Sequence, residues 1–336
     1  MRRDIMGTVD IIIPTYKPDK RLFTIIEQLE KQTIPVHNII IMNTEEKYLE
    51  TLIYGTAFFE KHKSIKVFHL SKREFDHGKT RHIGVQKSEA DFFVMLTQDA
   101  VPADEYLLAN LLRNLEGSVA VSYARQLPEE GCNEIERFSR AFNYPEQSRI
   151  KTMKDIEELG IKTFFCSNVC AAYRREVYDE LGGFIKHTIF NEDMIFAAEA
   201  IKNGYAVSYE ADAKVIHSHN YSGKKQFHRN FDNGVSQADH PELFQGVPAE
   251  SEGKRLVSST AKYLKEKGLG KEIPGLYWQS ACKYLGFKLG KQYNKLPKSF
   301  VRKVTMNKAY WDHESRRRDA LLIDPAKGYG TPDSER

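Results

Sequence analysis

Two hydrophobic periods take turns along the first hundred residues. Apolar, β-prone runs at Val9-Asp10-Ile11-Ile12-Ile13, Asn38-Ile39-Ile40-Ile41-Met42, Ile65 to Leu70 and Phe92-Phe93-Val94-Met95-Leu96 each stop at a polar corner. Between them the apolar positions move to helical spacing, as at Leu22, Ile25, Ile26 and Leu29. Near-continuous apolar runs of this length read as buried parallel strands. Strands alternating with helices predict an α/β fold: a Rossmann-like, mostly parallel sheet with helices on both faces.

In open α/β sheets, ligands sit just beyond the carboxyl ends of the strands. That rule makes four corners informative: Pro14-Thr15-Tyr16, Asn43-Thr44, His77-Gly78-Lys79 and Thr97-Gln98-Asp99. The run into Asp99 organises the rest, because it delivers a carboxylate to the ligand edge. A second reading fits Asp99 as well: Asp is a favoured N-cap, here for a helix starting near Pro102. No corner carries G-x-G-x-x-G or G-x-x-x-x-G-K-[ST], so a dinucleotide fingerprint and a P-loop are excluded. Gly78, Lys79 and Arg81 offer backbone N–H groups and cations to a phosphate, or else lie on a solvated helix face.

The pattern predicts helices from Glu45 to about Phe59, from about Lys79 to Ser88 and from Leu107 to Leu115. Ser118 to Tyr123 reads as a strand, the polar stretch from Glu129 to about Gly160 as an inserted lid or helical excursion, and Thr163 to Tyr173 as a return to the sheet. Arg174 to Leu181 is a short helix stopped by Gly182-Gly183. Phe190-Asn191-Glu192-Asp193-Met194 opens another, and two acids in its first turn suit the helix dipole. Tyr205 to Tyr209 is a strand. Val215-Ile216-His217-Ser218-His219 is a last short strand with two histidines on one face.

Composition narrows the class. A chain of 336 residues can bury a substantial core, and its apolar and charged fractions are those of a globular protein. No segment approaches the roughly 18 apolar residues of a membrane span. Met1-Arg2-Arg3-Asp4 lacks the apolar stretch of a signal peptide, so a cytoplasmic protein is expected. Cys132, Cys166, Cys170 and Cys282 suggest buried free thiols, with no disulfide framework and no zinc spacing. The net charge of +4 hides an asymmetry. From Gly246 to Arg336, 19 Lys and Arg stand against 10 Asp and Glu, a net of +9, which leaves −5 for residues 1–245. No nucleic-acid module accompanies this charge, so nucleic acid is not an expected partner.

Taken together, Ile-Ile-Ile-Pro-Thr-Tyr at 11–16, the strand ending at Asp99, Gly182-Gly183-Phe184 before Asn191-Glu192-Asp193, and Val215-Ile216-His217 resemble the inverting glycosyltransferases of family two. Phe75-Asp76-His77-Gly78-Lys79-Thr80-Arg81 with Leu96-Thr97-Gln98-Asp99-Ala100 is similar to the bacterial rhamnosyltransferase branch. The resemblance covers about Val9 to Tyr221 and implies a GT-A fold. It implies a catalytic region at 1–245, with a nucleotide-sugar half to about 125 and an acceptor half from about 126, followed by a basic, mainly helical region at 246–336.

The resemblance also implies roles. Where the family has Asp-x-Asp on a divalent metal, Mg²⁺ or Mn²⁺, this chain has Thr97-Gln98-Asp99, so Asp99 is the remaining carboxylate. His217 matches the family's late histidine near the metal. Asp193 matches the catalytic base. Pro14, Thr15, Tyr16 and Asn43 fall at the nucleoside, and His77, Gly78, Arg81 and Gln98 at the rest of the donor. Asn168 and Glu192 fall on the acceptor side. The expected reaction moves L-rhamnose from dTDP-L-rhamnose to a hydroxyl of a cell-surface polysaccharide or lipid-linked glycan. UDP-linked hexose transfer, or a silent carbohydrate- or nucleotide-binding module, are the alternatives.

From Ile273 to Trp311 the sequence holds eight Lys and Arg and no acid, with Trp278, Ala281, Leu285 and Leu289 at helical spacing. Such a basic amphipathic helix fits a peripheral position on the inner face of the cell membrane. Equally, the stripe packs on the catalytic region or forms a homo-oligomer through the C-terminal helices.

Overall fold

The computed structural model describes residues 7–247 and 250–312. The reading of Met1 to Asp4 and the charged segment past 312 lie outside the described residues. In chain order the elements are β1 (Val9–Tyr16), α1 (Arg21–Glu30), β2 (Asn38–Thr44), α2 (Glu46–Ile53), α3 (Phe58–Lys61), β3 (Ile65–Leu70), α4 (His77–Gln86) and β4 (Phe92–Leu96). Then come β5 (Val101–Pro102), α5 (Leu107–Leu112), β6 (Val119–Leu127), α6 (Glu134–Asn143), β7 (Arg149–Lys151), α7 (Ile156–Leu159), β8 (Cys170–Arg174), α8 (Arg175–Glu180), α9 (Glu192–Lys202) and β9 (Ala206–Ile216). After β9 come the helices α10 (Gly223–Asp239), α11 (Pro241–Phe244), α12 (Glu250–Glu266), α13 (Ile273–Gly290) and α14 (Lys298–Val304).

The strands form one sheet in the order β3-β2-β1-β4-β8-β6-β9-β5, with β7 also on β9. β1 to β4 are mutually parallel, and β8 enters antiparallel between β4 and β6. Side chains alternate across the sheet, so each strand feeds two cores. Ile12, Ile40, Met42, Phe93 and Met95 face α9 and the aromatic cluster of Tyr173, Tyr178 and Phe184. Ile11, Ile13, Ile39, Ile41, Val94 and Leu96 face α1 and α5. The apolar positions of α1 are all buried as their spacing requires.

Several boundaries differ from the sequence reading, each for a local reason. β1 runs on through Pro14 to Tyr16; its pairing with β4 ends at Ile12, so Pro14 interrupts no bond on that side. The helix read from Glu45 to about Phe59 is broken in two around Gly55, whose φ is +71°. α4 begins earlier, at His77, because the Asp76 carboxylate accepts the N–H groups of Gly78 and Lys79. The polar excursion contributes a strand, β7, that joins β9. The return read from Thr163 is a 3₁₀ turn, and the strand starts only at Cys170. The two last strands are one, β9, with His217 and His219 just past its end. All four cysteines are buried and free.

The C-terminal helices also differ. α13 packs along α10 mainly through small residues, with the edge of the Trp278 indole also against Gly223. A Cβ at Gly286 would meet the Phe227 carbonyl oxygen at 2.2 Å, and one at Gly290 the Phe231 carbonyl oxygen at 2.1 Å, so only glycine permits this approach. Trp278 and Leu285 remain 66% and 54% exposed. Val301, Val304 and Tyr310 fold back onto Phe231 and Val235 of α10. Among the described residues no helix is long and apolar enough to cross a membrane.

Candidate active site

The topology gathers chemistry at one edge of the sheet. β8 runs antiparallel, so its start at Cys170 pairs with Leu96, the end of β4. The chain then leaves β4 and pairs Val101 with Ile216, the end of β9. Asp99 hangs on that crossing. Asn168 precedes β8, Gln126 lies near the end of β6, and His217 and His219 emerge from β9. Asp99 caps no helix; the next one starts at Leu107, capped at Tyr106.

A cleft of about 340 Å³ opens there. It brings together seven of the residues named from the sequence: His77, Arg81, Asp99, Asn168, Glu192, Asp193 and His217. Pro14, Thr15, Tyr16, Asn43, Gly78 and Gln98 are not on its wall.

Asp99, His217 and His219 form a possible metal-ion cluster, with one ligand atom from each within 4.8 Å of the others. His217 Nε2 lies 3.6 Å and His219 Nε2 3.5 Å from the Asp99 carboxylate oxygens. These separations are too long for hydrogen bonds and suit ligands that share a cation. The His217 ring is oriented from behind. Its Nδ1–H donates to Gln126 Oε1 at 3.0 Å, which leaves Nε2 with its lone pair toward Asp99. Gln126 is held in turn by the Arg140 guanidinium, the Tyr144 hydroxyl at 2.6 Å and the Ser167 hydroxyl at 3.0 Å. Burial holds both histidines in the neutral, ligating form. The Thr97 hydroxyl, where the family's first Asp would stand, is buried without a hydrogen-bond partner on the same wall. One carboxylate, two neutral imidazoles and an unpartnered hydroxyl fit a divalent cation.

Asp193 stands in the first turn of α9. One carboxylate oxygen accepts the Asn168 N–H at 2.8 Å and the other its neighbour Met194 N–H at 2.8 Å. Burial, then the nearby Glu192 charge, push its pKa up to about 7, against the pull of those N–H bonds and Arg81. A carboxylate poised near neutrality is suited to general-base work. Glu192, beside it, is engaged. Arg81 Nε pairs with it at 3.0 Å and Asn168 Nδ2 donates to it at 3.1 Å. Arg81 also donates to the His77 carbonyl at 2.9 Å. Arg81 is thus buried in the cleft wall, not on a solvated face, and it ties α4 to α9. The His77 imidazole is pushed down to about 4 by burial.

The residues that the resemblance assigns to the nucleoside cluster apart, at the ends of β1, β2 and β3. The Thr15 hydroxyl donates to Asn43 Oδ1 at 3.0 Å, and Asn43 Nδ2 contacts His69 Nδ1 at 3.0 Å. The Tyr16 ring stands edge-on to Tyr48 at 5.6 Å. Two assignments change character. Gln98 exchanges both amide bonds with the Tyr16 backbone, at 2.9 and 3.0 Å, so it clamps β1 to β4 rather than facing a ligand. The Gly78 N–H belongs to Asp76 at 2.9 Å, and its missing side chain makes room for the Ile185 carbonyl, so Gly78 offers no free donor to a phosphate.

The structure adds residues that the sequence reading did not assign: Gln126, Arg140, Tyr144, His219, Tyr221 and Arg229. His219 had a signal, as the second histidine on one face. The others had none, because they come from the polar excursion, from the end of β6, from the loop between β9 and α10, and from α10 itself. Arg229 lies over Phe190 at 4.6 Å and has no carboxylate partner among the described residues.

Comparison with known proteins agrees with this architecture. The family model for glycosyl transferase family 2 matches residues 10–182. The O-antigen chain rhamnosyltransferase RfbN of Salmonella typhimurium is 39% identical over 310 residues, 91% of this chain and 96% of that protein. The O-antigen chain rhamnosyltransferase WbaN of Salmonella anatum is 38% identical over 314 residues, 92% and 97% of the two. Among solved structures, a mannosyltransferase from Pyrobaculum calidifontis, in complex with GDP-Man and Mn²⁺, superposes with a TM-score of 0.54 at 12% identity, covering 96% of this chain and 82% of that one. That likeness concerns the fold. The chain belongs to glycosyl transferase family 2 and is a glycosyltransferase with the GT-A fold.

Proposed function

We propose that this enzyme transfers L-rhamnose, with inversion, from dTDP-L-rhamnose to a hydroxyl of a growing cell-surface polysaccharide or lipid-linked glycan. The observation that carries the reaction is the placing of a near-neutral carboxylate, Asp193, across one cleft from the Asp99, His217 and His219 cluster. The identity to two O-antigen rhamnosyltransferases over almost their whole length supports the sugar and the acceptor class.

In this reading Asp193 accepts the proton of the acceptor hydroxyl as its oxygen bonds to the sugar's anomeric carbon. The bond from that carbon to the diphosphate breaks on the opposite face, and the nucleoside diphosphate leaves with the electron pair. Asp99, His217 and His219 would hold a divalent cation, which supplies positive charge to the diphosphate. Two imidazoles favour Mn²⁺ over Mg²⁺, which prefers an all-oxygen shell. Arg229 adds a cation at the same wall. Thr15, Tyr16 and Asn43, with Pro14 beside them, face the nucleoside. Asn168, bonded to both Glu192 and Asp193, keeps the base aimed at the acceptor side.

We propose residues 1–245 as the catalytic unit and the basic surface of α12 to α14 as the part that faces the membrane's inner surface. The exposed Trp278 face of α13 and the absence of acids from 273 to 311 support that placing.

A panel of nucleotide sugars tests the donor. dTDP-L-rhamnose is expected to release nucleoside diphosphate faster than UDP-glucose, UDP-galactose or UDP-N-acetylglucosamine. Preference for one of those three would overturn the rhamnosyl assignment and leave a UDP-hexose transferase.

A further inference from the structure

Beside the catalytic cleft, α10 and the end of α14 enclose a second one of about 360 Å³. Lys224, Lys225, His228 and Lys303 line it, and no carboxylate does. None of the three lysines has a carboxylate partner among the described residues. His228 Nδ1–H donates to the Val304 carbonyl at 2.5 Å, which fixes the ring in the cleft wall, so the cations of the cleft are the three lysines. The cleft lies at the amino end of the seventeen-residue α10, where the helix dipole adds positive charge. Asp232, behind Thr305 and Met306 of the lining, is taken up by the Thr305 hydroxyl and the Met306 N–H at 2.8 Å each and pairs with none of the lysines; these therefore repel one another, and a bound anion removes that cost.

Two further features say which anion. The first is continuity with the reaction site. Lys225 and Arg229, one turn apart on α10, both lie over the Tyr221 ring, at 4.5 and 5.9 Å. Tyr221 and Arg229 belong to the catalytic cleft, so the two clefts share this wall. The second is an apolar neighbour. The indole of Trp278 packs on Gly223 in the same first turn of α10, where a Cβ would come within 2.6 Å of its Nε1. Trp278 is nevertheless 66% exposed, and Tyr277 beside it 55%. A cationic cleft with exposed aromatic surface next to it suits an anion esterified to an apolar alcohol.

We propose that this cleft binds the phosphate or diphosphate through which the acceptor glycan is joined to a lipid. The inference rests on the transferase reading above for the acceptor's identity, but its chemistry is separable: an alkyl diphosphate binds here whether or not sugar is transferred.

The test is a titration of the full chain with decyl diphosphate, with Mn²⁺ and saturating dTDP present to fill the donor site, and with inorganic pyrophosphate as the headgroup-only arm. Wild type is expected to bind decyl diphosphate more tightly than pyrophosphate. K224Q/K303Q is expected to lose at least tenfold in affinity for both while its dTDP affinity is unchanged. Equal affinity for decyl diphosphate in the two proteins would overturn the site. So would binding that rising dTDP displaces, which places the anion in the donor pocket. Lysine-dependent binding in a protein that transfers no rhamnose from dTDP-L-rhamnose would uphold the cleft and sink the proposed donor reading instead.

Discussion

Replacing Asp193 with Asn is expected to lower turnover by about two orders of magnitude or more, with donor affinity little changed. Asn keeps the size and the place at the start of α9 but cannot take a proton. The wild-type pH profile should carry the same signature. The base works only when ionised, and its folded pKa stands at about 7. Turnover should therefore rise with pH through neutrality, on an acid limb well above the ordinary aspartate range. Burial raises that limb most, Glu192 raises it further, and the Asn168 and Met194 N–H bonds and Arg81 lower it; Cys166, Tyr144 and Tyr173 are close enough to feel the carboxylate's charge. In the Asn variant the residual rate should lose the limb. Steady-state rates across pH, with donor binding measured separately, check both points. Near wild-type turnover with Asn at 193 would remove Asp193 from the chemistry.

Asp99→Ala is expected to abolish the metal dependence of nucleoside diphosphate binding. Wild type should bind dTDP more tightly with Mn²⁺ than with EDTA. The variant should bind weakly and equally in both, a loss of about 10–100-fold or more in the presence of metal. Removing this carboxylate takes away the only acid of the Asp99, His217 and His219 set and leaves two neutral imidazoles. No helix cap is lost, so the melting temperature should change little. Titration of dTDP against both proteins, with and without Mn²⁺, decides it. Equal, metal-independent affinity in wild type would remove the cation site.

The front of the sheet was legible because buried parallel strands carry unbroken apolar runs, and the corner after each run is where an α/β fold places ligands. Asp99 could be placed for that reason, while Asp193, in the first turn of a helix, and His217, just past the end of β9, were named through the resemblance. Gln126, Arg140 and Tyr144 could not be placed. Their positions depend on β8 entering antiparallel between β4 and β6, and nothing in the local pattern announces strand order. At Gly78 the neighbouring residue decides whether its N–H is free. Asp76, two residues earlier, is a capping signal that claims the N–H groups otherwise free for a phosphate. The packing face of α13 was hidden for the opposite reason. It is built from Gly286 and Gly290, which carry no hydrophobic signal, while the conspicuous Trp278 touches α10 by its indole edge at Gly223 and, like Leu285, stays more than half exposed.

The central claim is a single displacement at the sugar carbon, driven by one base across the cleft from the diphosphate site. The anomeric configuration of the bond that is formed tests it most directly, read by NMR on the product of dTDP-L-rhamnose transfer. The account predicts a configuration inverted from that of the donor. A retained configuration would contradict it, because retention requires a second displacement or a different geometry that Asp193 alone does not provide.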